Sequence, residues 1–180
     1  MERLTAAPPG ALVLFAATYT RRMSDDPRLS PGMREQLELG YVFGGLSTFG
    51  QRPFLTDPEQ LDEWKPDVAV VGAPLDITTT NRAGARFGPR AIRALAYESG
   101  TYHIDLDLEI FDHLDVVDFG DAHCPHGDAA AGHANIKSRV AEVASRRIVP
   151  IILGGDHSIT WPAATAVADT YGHGNVGIVH

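Results

Sequence analysis

The segment Gly154 to Ser158 reads Gly-Gly-Asp-His-Ser and places a carboxylate, an imidazole and a hydroxyl on three consecutive residues. Imidazole nitrogen and carboxylate oxygen together suit Mn, Zn, Fe or Ni, and the segment lacks the thiolates that structural zinc sites use. A structural interpretation stays open beside this one. Asp156 or Ser158 could cap a helix, and His157 could be a structural histidine with satisfied hydrogen bonds.

The same segment does not predict a serine nucleophile. Ser158, His157 and Asp156 are immediate neighbours, and adjacent side chains do not generally converge as nucleophile, base and orienting group. The Gly-x-Ser-x-Gly sequence of a nucleophile elbow is also absent from the chain. We therefore reject a serine hydrolase.

Two further stretches contain residue types that bind ligands. Residues 84–93 carry three arginines around Pro89, which suggests an anion site, although arginines that tie loops together or bridge subunits are the stronger interpretation. Residues 121–133 carry metal-ligand types crowded into a Pro/Gly turn, without the paired spacing of a zinc knuckle. Their candidate side chains are Asp121, His123, Cys124, His126, Asp128 and His133.

Alternating strands and helices from Asp67 onwards would position these stretches. Four apolar runs rich in β-branched residues predict strands of a parallel sheet: 67–73, 114–118, 148–153 and 175–180. Three stretches of helical composition accompany them: 90–96, 129–146 and 159–171. Ligands gather at the carboxyl ends of such strands, and each of the three candidate stretches lies in or after the loop that follows one of them.

The first 66 residues carry no recognisable motif. Prolines punctuate them, and a short helix is predicted at Pro31–Leu39. We therefore divide the chain into an N-terminal arm and irregular segment, residues 1–66, and the N-terminal part of an α/β domain, residues 67–180.

Composition excludes several classes of protein. A net charge of −8 without a Lys/Arg run argues against binding to nucleic acid. Cys124 is the only cysteine, so no intrachain disulfide can form and a cytoplasmic protein is expected. The apolar stretch Ala11–Ala17 is too short to span a bilayer, and its Arg21-Arg22 pair follows the run, whereas a secretion signal would place positive charge before it, so no membrane partner is predicted.

Five segments between Asp67 and His180 resemble, in order, the ureohydrolase family of arginases, agmatinases, formiminoglutamases and guanidinobutyrases. They are Val-Ala-Val-Val-Gly-Ala-Pro, Gly-Ala-Arg-Phe-Gly-Pro-Arg-Ala-Ile-Arg, Asp118-Phe-Gly-Asp121, Gly-Gly-Asp-His-Ser and Gly-Ile-Val-His. The second of these looks more like agmatinases than arginases. The resemblance implies an arginase-like α/β fold of three layers, α/β/α, with a parallel sheet that is truncated after about its fourth core strand.

The resemblance also implies two manganese ions at the strand ends, with nickel as an alternative, and His157 as one terminal ligand. The family's second motif, Asp-x-His-x-Asp, and its third, Ser-x-Asp-x-Asp, are not present. Asp121-Ala-His123 imitates the second motif, but Pro125 stands where its last Asp belongs, so we assign no ligation to Asp121 or His123. One histidine cannot hold a two-metal centre, and the 180-residue chain is expected to be incomplete and inactive alone.

The implied activity is hydrolysis of a guanidino compound, a linear amidine, to urea and an amine by a metal-bridging hydroxide. Agmatine, guanidinobutyrate and guanidine all remain candidate substrates, and the loops Asp76–Asn81 and Glu98–His103 are candidates for one side of the pocket. No catalytic residue is assigned within the chain. The family further implies a homo-oligomer, a trimer or hexamer. The alternatives are a catalytically inactive regulatory or assembly subunit and a metal-dependent amide deacylase.

Overall fold

The computed structural model describes residues 25–38, 45–96 and 100–179. It divides the chain between Leu46 and Ser47 into two compact units. Among its described residues, the first unit contains helix α1 (Pro31–Glu38), which confirms the helix predicted to start at Pro31. The predicted last residue of that helix, Leu39, lies outside the described residues.

The second unit is built on a parallel sheet. Its strands, in chain order, are β1 (Val68–Ala73), β2 (Tyr102–His103), β3 (Leu108–Glu109), β4 (Val116–Asp121) and β5 (Val149–Gly154). Strands β4, β1 and β5 form the parallel sheet in that order, while β2 and β3 form a short antiparallel pair. The register aligns Val68 with both Val116 and Val149, so the three strands end at one edge. Every residue of the central strand β1 is buried, as the apolar run predicts.

Helices cover the two faces of this sheet. They are α2 (Pro58–Trp64), α3 (Gly88–Leu95), α4 (Ile110–His113), α5 (Ala129–Ala144) and α6 (Thr160–Tyr171). Ile136 and Val140 of α5 and Ala166 of α6 form one core with the residues at the end of β1. On the other face, Phe49 and Phe111 pack against a second core of strand residues. The three-layer α/β/α prediction is confirmed.

Helix α2 corrects the prediction that residues 1–66 lack further regular structure. Its start is capped by Gln60, whose Oε1 accepts the backbone N–H groups of Thr56 at 2.8 Å and Asp57 at 3.0 Å. Pro58 occupies the first turn, where its missing N–H costs nothing. At the other end, Trp64 Nε1 donates to the carboxylate of Asp115. The division of domains at residue 66 stays a prediction.

The fourth strand, predicted at residues 175–180, is not formed in the described residues 175–179, and His180 lies outside them. Ile178 is 68% exposed and Val179 is fully exposed, so no neighbouring strand within the described part of the chain buries them. A β-branched run forms a strand only where such a neighbour exists. None of the helices in the described ranges has the length and apolarity to cross a bilayer.

Candidate functional site

The Gly-Gly-Asp-His-Ser segment forms the turn between β5 and α6, and a short 3₁₀ helix occupies His157–Ile159. Gly155 has φ +72°, and a Cβ at this position would overlap the carbonyl oxygens of Ala73 and Leu75. The backbone N–H of Asp156 donates to the Leu75 carbonyl at 2.7 Å. Only glycine allows the turn to lie this close to the end of β1.

Asp156 is the most heavily hydrogen-bonded residue of the turn. Its Oδ1 accepts Ser158 N at 2.9 Å and Ser158 Oγ at 2.5 Å, and its Oδ2 accepts Thr78 N at 3.1 Å and Thr78 Oγ1 at 2.5 Å. Burial raises the pKa of Asp156, but the bonds from Ser158 and Thr78 outweigh it and hold the pKa below its ordinary value. Asp156 therefore caps the 3₁₀ helix, which confirms the capping interpretation for this residue.

His157, the predicted metal ligand, is exposed at the carboxyl edge of the parallel sheet. Its Nδ1 lies 3.4 Å from Thr160 Oγ1 one turn further along the chain. An exposed imidazole at this edge fits one position of a metal site. Within the described ranges, no group of three or more His, Cys, Asp or Glu side chains could hold an ion, so ligation by His157 stays a prediction.

His133 of α5 contacts the same turn, a contact that no sequence pattern predicts. Its Nε2 lies 2.8 Å from Ser158 Oγ, and its ring meets Trp161 edge-on, with 5.8 Å between the ring centroids. Because the Ser158 hydroxyl donates to Asp156, it accepts from His133, which requires the proton on Nε2. The two side chains are 25 residues apart in the chain, and only the packing of α5 against the turn brings them together.

The loop after β1 closes on Asp76, which is 1% exposed. Asp76 Oδ2 accepts Gly84 N at 2.6 Å and Arg86 N at 3.1 Å, and Oδ1 accepts Arg86 Nε at 2.5 Å. The hydrogen bond from the Arg86 side chain, opposed by burial, lowers the pKa of Asp76 to about 2. Arg86 Nη1 also lies 3.2 Å from His126 Nδ1, which joins this loop to the loop after β4.

A second arginine, Arg93, is buried in α3 and pairs with two carboxylates, of which Asp118 is buried and Asp121 is exposed. Its Nη1 donates to Asp121 Oδ1 at 2.5 Å, and its Nε and Nη2 donate to Asp118. Burial lowers the pKa of Arg93, but these two carboxylates raise it above its ordinary value. The interpretation that arginines tie loops together is thereby confirmed for Arg86, whereas Arg93 ties helix α3 to strand β4.

The residues after β4 do not converge on a metal site in the structure. Burial, with a smaller effect of Asp121, raises the pKa of Cys124 to about 11, so this thiol is protonated at neutral pH. Asp128 instead caps α5, with its Oδ1 accepting Ala131 N at 2.9 Å. His123 is exposed, and its carbonyl accepts Asn135 Nδ2 at 2.8 Å.

Of the two loops predicted to border the substrate pocket, the described part of the structure places only the first against the turn that carries His157. Asp76–Asn81 borders the His157 turn through Thr78, whose backbone N–H and hydroxyl both donate to Asp156. Glu98, in the second loop, lies outside the described residues, and the described part of that loop ends in the exposed strand β2. Their contact with a substrate stays a prediction.

Residues 66–180 match the model of the arginase family. The chain is 38% identical to the guanidinobutyrase of Pseudomonas aeruginosa, over 77% of this chain and 42% of that protein. The structure resembles that of a hypothetical agmatinase from Burkholderia thailandensis, with TM-score 0.65 and 32% identity over 73% of this chain and 40% of the other. It also resembles Trypanosoma cruzi formiminoglutamase crystallised with Mn²⁺, with TM-score 0.56 and 27% identity over 63% of this chain and 38% of the other.

The chain spans about two-fifths of the length of these relatives. The matched region contains the parallel sheet, the helices on both of its faces and the Gly-Gly-Asp-His-Ser turn at its carboxyl edge. By its sheet, by this turn and by a match over nearly two-thirds of its residues, the chain belongs to the arginase family.

Proposed function

We propose that the natural protein hydrolyses a guanidino compound to urea and an amine. The observation that carries this proposal is the position of His157, exposed at the carboxyl edge of the sheet on a turn fixed by Asp156. The names of relatives, which include a guanidinobutyrase and an agmatinase, support a guanidino substrate. Agmatine, guanidinobutyrate and guanidine are the candidates.

His157 would hold one of two divalent metal ions, and manganese is the proposed metal with nickel as the alternative. Bound metal supplies what a guanidinium carbon requires, a water acidic enough to act as a nucleophile at neutral pH. The chain's own residues hold the proposed metal ligand in position. Ser158 and Thr78 keep the carboxylate of Asp156 ionised and the turn in place, and the exposed imidazole of His157 remains accessible.

The rim beside His157 is formed by the loop after β1. This loop is anchored to the turn at Thr78 and to Asp76 at Gly84, so its exposed middle is held near the proposed metal ligand. We propose that this middle, including Asn81, contacts the part of the substrate distant from the guanidino group. A cytoplasmic location and a homo-oligomer of trimer or hexamer type complete the proposal.

The test is urea release by the purified natural protein, measured with guanidinobutyrate, agmatine and guanidine, together with its metal content. We expect urea from one of these substrates and about two manganese or nickel ions per active site. His157→Ala is expected to reduce the metal content from about two ions to about one or fewer per active site and to lower urea release by at least about 100-fold. His173→Ala is the matched control, because His173 is exposed and its imidazole pairs with Asp169, at 2.7 Å, on the far end of α6.

Two outcomes would contradict the proposal. A protein that binds no metal and releases no urea from any of the three compounds would support the inactive regulatory or assembly subunit instead. Deacylation of an acyl-lysine substrate without urea release would support the metal-dependent amide deacylase.

A further inference from the structure

We propose that Asp156 is a positioning residue that couples the turn carrying His157 to the loop on the substrate side, and that it does not ligate metal itself. This inference rests on the proposed function for its kinetic consequences, but its structural part is independent of any activity. Asp156 is next to His157, the proposed metal ligand, and a carboxylate in that position would first be expected to bind the metal as well.

The occupancy of the carboxylate argues against ligation. An ionised carboxylate offers about four acceptor positions, two on each oxygen. Asp156 Oδ1 accepts the backbone N–H and the hydroxyl of Ser158, and Oδ2 accepts the backbone N–H and the hydroxyl of Thr78. All four positions are therefore used within the protein, and coordination of a metal would require one of these bonds to break.

The two oxygens of Asp156 face different segments of the chain. Ser158 belongs to the same turn as Asp156, whereas Thr78 lies 78 residues earlier in the loop after β1. The backbone N–H of Asp156 also donates into this region, to the Leu75 carbonyl at 2.7 Å. One residue thus holds the turn with one oxygen and the loop with the other.

A series of hydrogen bonds connects the turn to α5. His133 Nε2 donates to Ser158 Oγ, whose own proton goes to Asp156, and the His133 ring is packed against Trp161 of α6. His157 stands between Asp156 and Ser158 in sequence, so its backbone is fixed by residues on both sides. The direction in which its exposed imidazole leaves the turn therefore depends on the bonds of these two neighbours.

The loop side has a second anchor that makes the coupling measurable. Gly84 N donates to the buried carboxylate of Asp76, so the span between Thr78 and Gly84 is tied at both ends. Loss of the Thr78 anchor would free one end of this span and leave the other in place. We therefore expect a variant that removes the hydrogen bond between Asp156 and the loop to behave differently from one that removes its hydrogen bond within the turn.

The test compares three variants of the natural protein. Thr78→Val removes one bond on the loop side and should raise KM severalfold with unchanged affinity for Mn²⁺. Ser158→Ala removes the hydroxyl that links Asp156 to His133, and should weaken Mn²⁺ binding about 10- to 100-fold with a smaller change in KM. Asp156→Asn replaces one acceptor oxygen with an NH₂ group, which faces N–H and O–H donors on that side, and it removes the negative charge that strengthens the bonds on both sides, so it should produce both effects.

Thr56→Val is the matched control, since Thr56 is exposed just before α2 and its hydroxyl donates to the Asp57 carboxylate at 3.2 Å, so the same change of side chain is made outside both the loop and the turn. It should leave KM and Mn²⁺ affinity at their original values. Mn²⁺ affinity is measured by titration with detection of the free ion, and the melting temperature of each variant shows whether a general loss of stability accounts for the result. Equal losses of Mn²⁺ affinity in Thr78→Val and Ser158→Ala would overturn the two-sided role.

Hydrogen–deuterium exchange separates this inference from the proposed function, because it requires neither metal nor substrate. Thr78→Val should accelerate exchange in residues 77–83 alone, Ser158→Ala in residues 155–160 alone, and Asp156→Asn in both segments. If the natural protein neither binds Mn²⁺ nor releases urea, this pattern still supports the coupling. Unchanged exchange in both segments of Asp156→Asn would overturn it, whatever the activity.

Discussion

Arg93 and Asp118 form a buried, doubly hydrogen-bonded ion pair, with Nε 2.7 Å from Oδ2 and Nη2 2.9 Å from Oδ1. Asp118 is fully buried on β4, and Arg93 is 8% exposed on α3. The remaining nitrogen of the same guanidinium, Nη1, donates to Asp121 at the end of β4. A single side chain therefore fixes helix α3 to the strand end from which the loop toward His126 departs.

We predict that Arg93→Met destabilises the protein by about 3–5 kcal/mol, because it leaves the buried carboxylate of Asp118 without its cation. The free energy of unfolding from urea titration measures the change. Arg90→Met, on the exposed side of the same helix, is the control and should change the free energy by no more than about 0.5 kcal/mol. Equal effects of the two variants would show that the pair contributes nothing specific.

A second prediction concerns the dependence of stability on acidity. The pKa of Asp76 is lowered from 3.8 to about 2, chiefly by the Arg86 side chain. A lowered pKa in the folded state means that the contribution of Asp76 is complete above about pH 4 and is lost as the pH falls toward 2. Asp76→Asn should therefore be less stable than the original protein at pH 6, and the difference should shrink between pH 4 and pH 2.

Melting temperatures of both proteins across this range test the prediction. Asp105→Asn provides a control, since Asp105 is exposed in the turn between β2 and β3. A difference between original and Asp76→Asn that stays constant from pH 6 to pH 2 would contradict the assigned role of Arg86.

The thiol of Cys124 should react slowly. Its pKa is raised from 9.0 to about 11, first by burial and then by Asp121. This rise in the pKa lowers the thiolate fraction at pH 8 by about 100-fold. Alkylation proceeds through the thiolate, so it slows as well. We expect iodoacetamide to modify the folded protein at least about tenfold more slowly than the urea-unfolded protein. Equal rates in the two states would contradict the prediction.

Gly155 should not tolerate a side chain. Its φ of +72° disfavours other residues, and a Cβ would overlap the carbonyl oxygens at the end of β1. We predict that Gly155→Ala lowers the free energy of unfolding by about 2 kcal/mol or more. Gly174→Ala is the matched control, since a Cβ at Gly174 meets nothing within 4 Å and its φ is not in the left-handed region. Similar free energies for both variants would contradict the role given to Gly155.

The sheet and its main helices were predictable because their signals are local. The apolar run of β1 and the helical composition of α5 arise from neighbouring residues, and both elements lie within a few residues of the predicted bounds. Helix α2 was missed because it is short, although its start carries a sequence signal: Asp57, with Pro58 next and Gln60 three residues on, forms a capping box. At residues 175–180 the error was the opposite one, a strand predicted where the described residues form none. The run is apolar, but Ile178 and Val179 are exposed.

The candidate site was predictable only in part, for a similar reason. The motif around His157 is contiguous, so its position after a buried strand follows from the sequence. The partners of Asp156 and Ser158 are Thr78 and His133, which lie 78 and 25 residues away. Such pairs are set by the packing of the loop after β1 and of α5 against the turn, and no local pattern encodes them.

The loop after β1 is attached at its two ends, at Thr78 to Asp156 and at Gly84 to Asp76. Residues 80–83 lie between these anchors, so they can be replaced together by other residues while the turn beside them stays in place. Among related proteins, this arrangement would let the sequence of this short span diverge while the turn keeps its position. For the protein engineer, it marks a segment whose side chains can be varied at a small cost in folding.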